Sequence, residues 1–122
     1  MIPVLAIILV FNSCYKDVYV DLEDTENPSV GTMSFKNDIM PIFNASCNIS
    51  GCHNGQVAPN LLPDKAYNSL INGNYINTSN PQASELYQWM KGNRSQPMPL
   101  SGPNKTYNDK VLAWITQGAL NN

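Results

Sequence analysis

Seven consecutive residues, Cys47-Asn48-Ile49-Ser50-Gly51-Cys52-His53, bring two thiols and an imidazole together, and His53 is the only histidine in the chain. Two cysteines with a histidine directly after the second form the attachment site of c-type haem. The thiols add across the haem vinyl groups, and the histidine turns its ring to the iron as the proximal axial ligand. The histidine has to follow the second cysteine at once, because the covalent links fix where the iron sits. That part of the pattern is intact. The gap is not: four residues separate Cys47 from Cys52 where the usual motif has two. The chemistry tolerates a longer loop between the thiols, but the motif alone becomes less specific. Two other uses of the pair stay open. An exported chain permits a Cys47–Cys52 disulfide. Zinc fits less well, since two cysteines and one histidine supply three ligands and a structural zinc site takes four.

Haem iron in an electron carrier takes a second ligand from the protein on its other face. With a single imidazole, that ligand has to be something else, and a thioether favours ferrous iron and raises the potential. Among the five methionines, Met1 falls in a leader-like segment, and Met33 and Met40 precede the cysteines. Met40 shares a helix with Cys47, so it cannot easily reach the opposite face. Met90 sits on the apolar side of a helix and reads as core. Met98 lies in Gln96-Pro97-Met98-Pro99, 45 residues beyond His53. Prolines on both sides stiffen that loop and can hold a thioether over the iron at low entropic cost.

These residues need elements to position them. The chain has 122 residues, enough for one domain. Residues 1–13 read as a lipoprotein-type signal peptide, with a plain secretory signal or an uncleaved short anchor as the other readings: an apolar run from Met1 to Phe11, too short to span a bilayer, ends in Ser13-Cys14. Cys14 would then be the lipidated residue. Residues 14–32 read as a tether, with Lys16 against Asp17, Asp21, Glu23, Asp24 and Glu26, a net charge of −4 over residues 15–32. Residues 33–122 carry a net charge of +2, and neither part has the basic density that nucleic acid would ask for.

From Met33 the apolar residues recur at helical spacing. Ser34 caps a first helix whose face is Phe35, Ile39, Ile42, Phe43 and Ser46, with a kink or a late start at Pro41. A loop from Asn54 to Pro63 follows. Asp64–Asn72 reads as a short helix stopped by Gly73. A third helix starts at Asn80-Pro81, with Glu85 in its first turn, Leu86, Trp89 and Met90 on its apolar side, and Gly92 at its end. A last helix spans about Tyr107–Gln117 and buries Val111, Leu112, Trp114 and Ile115. No run alternates with period two. The expectation is an all-α domain of about four helices and long loops. Its core is thin for so much loop, and one covalent haem would supply the apolar plate it lacks. Trp89 and Trp114 read as packing.

The run Phe35-x-x-Asp38-Ile39-x-Pro41-Ile42-Phe43, then Cys47 and Cys52-His53-Asn54-Gly55, resembles class I c-type cytochrome domains of the Bacteroidetes and Planctomycetes type. Asn60-Leu61-Leu62, Tyr67, Ser84-x-Leu86-Tyr87, Met98-Pro99 and Trp114-Ile115-x-x-Gly118-Ala119 continue the likeness in order, over residues 34–120. The resemblance implies a small cytochrome c-like fold whose first and last helices cross beside the haem. It also implies that the wide cysteine spacing is tolerated.

The expected function is that of a monohaem c-type cytochrome lipoprotein carrying single electrons outside the cytoplasm, not an enzyme. It would be lipid-anchored on the periplasmic side of a bacterial membrane. Redox proteins would be its partners, including a membrane respiratory complex of which it could be a subunit, and they would dock over the haem edge. Two alternatives stand beside it. One is a haem enzyme or sensor with an open axial site, for which Arg94 is the one distal group on offer. The other is a haem-free, disulfide-stapled surface binding module.

Overall fold

The computed structural model describes residues 31–122. The expected signal peptide, Cys14 and most of the acidic tether lie outside the described residues. Among those residues the regular structure is entirely helical: a π-helical turn Phe35–Ile39 running into α1 (Met40–Ser46), then α2 (Ala66–Asn72), a 3₁₀ turn Pro81–Ala83, α3 (Glu85–Met90) and α4 (Lys105–Thr116). No described helix is long and apolar enough to cross a membrane.

The π-turn is the answer to Pro41. In an unbroken α-helix its ring would press on the carbonyl four residues back and leave that carbonyl without a donor. Here the Ile39 N–H donates to the Ser34 carbonyl (3.3 Å) and the Met40 N–H to that of Phe35, so the helix is one residue wider per turn. Pro41 then falls in the first turn of α1, where no N–H partner is needed. Ser34 caps the turn as expected. Its Oγ accepts from the Asn37 N–H (3.1 Å), and Asp38 returns the contact by accepting from the Ser34 N–H (2.8 Å).

Three further boundaries differ from expectation, and the first is α2, which starts at Ala66 rather than Asp64. The helix expected from Pro81 onward is interrupted at Ser84, whose backbone is extended (ψ 131°). Ser84 is wholly buried, and its Oγ accepts from the Asn77 N–H (2.9 Å). A buried hydroxyl stapling the preceding loop outweighs helix continuity there. The last helix starts at Lys105, two residues early, because the Asn104 side chain caps it through the Tyr107 N–H (3.1 Å).

One core holds these pieces together. Phe35, Ile39, Ile42, Phe43, Leu70, Val111, Trp114 and Ile115 are all buried. Phe35 is its hub. Its ring meets Trp114 at 5.2 Å, Tyr67 edge-on at 5.3 Å and Phe43 at 6.3 Å. The π-turn therefore packs on α4, while the Tyr67 hydroxyl donates to the Ala119 carbonyl (3.0 Å).

The chain after α4 folds back onto the first turn. The Asn122 main-chain oxygen accepts from the Lys36 N–H and the Ser34 hydroxyl, both 2.9 Å, and its side-chain oxygen accepts from the Phe35 N–H (2.9 Å). Gln117 accepts from the Met33 N–H (2.7 Å) and donates to the Gly31 carbonyl (3.2 Å). Donors that a helix N-terminus leaves unpaired are thus satisfied from the far end of the sequence.

Candidate functional site

The Cys47–His53 segment leaves α1 as a closed loop. The Cys47 and Asn48 N–H groups both donate to the Phe43 carbonyl (2.9 Å each) and end the helix. The Cys52 N–H donates to Ile49 (3.0 Å), and the His53 N–H returns to the Cys47 carbonyl (3.0 Å). This inner turn, with Gly51 at φ 81°, takes up the two extra residues, so Cys47 and His53 are joined across the base of the loop. The Asn48 side chain pins it from outside, donating to Asn44 (2.7 Å) and to the Leu61 carbonyl (2.9 Å).

His53 is held on both its backbone and its ring. Its carbonyl accepts from the Leu61 N–H (2.8 Å). Its Nδ1 lies 3.2 Å from the Val57 carbonyl and 3.1 Å from the Pro59 carbonyl. Carbonyls only accept, so Nδ1 carries the proton. The other nitrogen, Nε2, is left with its lone pair free to bind a metal.

Cys47, Cys52, His53 and Met98 all line one cavity of about 680 Å³, a size suited to a cofactor-scale ligand. The rest of its wall is mainly apolar: Pro59, Leu61 and Tyr75, with Leu86, Trp89 and Met90 from α3. Ile49, Val57 and Leu100, which are about half-exposed or more, stand around the same cavity. Both thiols are free. Burial, and then the neighbouring Cys52, push the Cys47 thiol up to about 11.

The donor set fits haem. Two thiols, one imidazole with the correct nitrogen free, and one thioether share a single apolar cavity. Among the described residues no group of three or more His, Cys, Asp or Glu could hold a bare metal ion. Haem iron takes four ligands from the porphyrin and asks the protein for two at most.

The other residues singled out by sequence divide. Met40 is buried in the core and takes no part in the cavity. Met90 is core, being 2 % exposed, yet also forms cavity wall. Trp114 is core packing, as expected. Trp89 is not core: it is half-buried, lines the cavity, and its indole N–H donates to Glu85 (2.9 Å). A helix only six residues long, broken at Ser84, does not bury the whole apolar side that its sequence suggests. Arg94 is outside the wall. It grips Glu85 through Nε (2.9 Å) and a terminal nitrogen (2.6 Å), and this holds the Glu85 carboxyl below its ordinary value.

The carbonyls of Val57 and Pro59 could not be found in the sequence, since a main-chain acceptor leaves no mark on residue type. Tyr75 sits in a polar stretch that reads as plain loop. Comparison with protein-family models, curated proteins and solved structures finds no match to this chain.

Proposed function

We propose that the chain is a monohaem c-type cytochrome that carries single electrons outside the cytoplasm. One observation carries the reading: the Cys47–Cys52–His53 loop and Met98 line the same apolar cavity, with His53 Nδ1 tied to carbonyls so that Nε2 is free. Haem, when bound, supplies a one-electron couple between ferric and ferrous iron.

Cys47 and Cys52 would hold the group through thioethers. His53 would bind the iron on one side through Nε2. The Val57 and Pro59 carbonyls fix the ring's tautomer and orientation and make it a stronger donor. Met98 would bind on the other side. The apolar walls would limit water at the group, which would favour the less charged ferrous state. With His53 and Met98 both given to the iron, no position would remain for a substrate, and the chain would serve as a carrier for redox partner proteins. Cys14 would anchor it to the periplasmic side of a bacterial membrane.

Export to an oxidising compartment in a host with haem-attachment machinery tests this. Denaturing mass spectrometry should give the polypeptide plus one haem, with Cys47 and Cys52 closed to alkylation. A mass equal to the bare processed polypeptide would sink the reading.

A further inference from the structure

Residues 93–104, which carry Met98, form no regular element. A ligand on such a segment needs fixing from outside. Its attachments run to α3. The Met98 N–H donates to the Trp89 carbonyl (3.2 Å). The Asn93 side chain donates to Gln88 (3.0 Å). The third attachment is Arg94 on Glu85, in a two-point grip.

These contacts follow from how α3 ends. The Gly92 N–H donates to Trp89 (3.0 Å) and the Asn93 N–H to Gln88 (3.0 Å), with Gly92 at φ 77°. That left-handed turn reverses the chain, so the Arg94 side chain runs back along α3 to its first residue. Glu85 and Trp89 are four apart and share a face. One carboxylate oxygen of Glu85 accepts from both the Trp89 indole and Arg94 Nε, each at 2.9 Å, while the other accepts from the Arg94 terminal nitrogen at 2.6 Å.

We propose that Glu85 is a positioning residue for Met98: its carboxylate ties the Trp89 ring, which is cavity wall, to Arg94 in the methionine loop, and so sets how firmly Met98 is presented to the cavity. The inference rests on Met98 as axial ligand. Trp89 is the connecting piece, with its carbonyl on Met98, its ring on the cavity and its indole N–H on Glu85. Loss of Arg94 alone removes a half-exposed ion pair, which is worth little. Loss of the carboxylate also strands the indole N–H.

The test uses the haem-loaded protein and two readouts: titration with imidazole, which competes with methionine for the iron, and hydrogen exchange at the Met98 amide. Glu85→Ala should bind imidazole roughly five- to tenfold more tightly and exchange the Met98 amide faster by a similar factor. Arg94→Ala should show about a two- to threefold change. Glu85→Gln keeps an acceptor for the indole and should fall beside Arg94→Ala, which distinguishes positioning from general loss of stability. Asp64→Asn, which breaks an exposed ion pair with Lys65, should change neither readout. Unchanged imidazole affinity and unchanged Met98 exchange in Glu85→Ala would overturn the proposal. If the wild type lacks the methionine–iron charge-transfer band, the axial-ligand reading has failed on its own. Amide exchange then still decides whether Glu85 holds the loop.

Discussion

Met98 and Met90 line the same cavity, and they differ in what their loss removes. Met98 is partly buried on a loop, so in the proposed haem-loaded protein Met98→Ala should leave the fold and the thioether links intact. It should lower the reduction potential and let carbon monoxide or imidazole bind, as spectroscopic titration would record. An unaltered potential would mean the iron takes another ligand. Met90 is buried in the core, and Met90→Ala should cost roughly 2–5 kcal/mol in chemical denaturation. Cys47 gives a pH dependence in the haem-free, reduced chain. Its folded pKa of about 11 exceeds the 9.0 of an unburied thiol. The unfolded chain therefore loses this proton first. The contribution to stability is full below pH 9 and is lost as pH rises through about 11. Denaturation midpoints across that window should fall more for wild type than for Cys47→Ala. Equal slopes would show that the thiol is not buried.

At the scale of the element, α2, α3 and α4 close alike: a left-handed residue follows the helix and the next N–H reaches back five residues. For α3 and α4 the left-handed residue is glycine and was legible. For α2 it is Asn74 (φ 57°), with Gly73 in an ordinary conformation. Gly73 is needed for another reason. A Cβ there would overlap the Tyr75 ring and come within 2.8 Å of the Ser69 carbonyl. Gly73→Ala should push Tyr75 off the cavity wall and cost about 1–3 kcal/mol, measurable by thermal or chemical denaturation. A variant of wild-type stability would mean the ring moves freely. Helix existence was readable from apolar spacing. The break at Ser84 was not, because it depends on the Asn77 N–H finding a buried hydroxyl from outside the helix.

For the whole molecule, composition and period indicate a helical domain with a small core, and the structure has that form. The chemistry-bearing types Cys47, Cys52, His53 and Met98 were legible because each is rare or oddly placed. Their convergence was expected from the haem motif, but what produces it was not legible: the turn at Gly51 and the contacts that hold the Met98 loop to α3. Nor was the role of the residues after Gly118 evident, because amide side chains such as Asn122 look alike whether solvated or bonded. The anchoring proposal is tested at this scale. Cys14→Ala should move a haem-loaded protein from the membrane fraction to the soluble one, while retention would point to another attachment.

The clasp between residues 31–36 and 117–122 also decides how the molecule would bear tension. A pull on the backbone at Gly31 reaches Gln117 first, then Asn122 through Ser34, Phe35 and Lys36. The bonds stand in series along the chain, so they give way one at a time, like a zip. The residues lining the cavity all lie beyond that seam, from Ala45 onward. A stretched molecule would shed its first turn before force arrived at His53, and could close the seam again once slack returned. With Cys14 as the proposed anchor, the seam would act as a mechanical fuse between that attachment and the cavity.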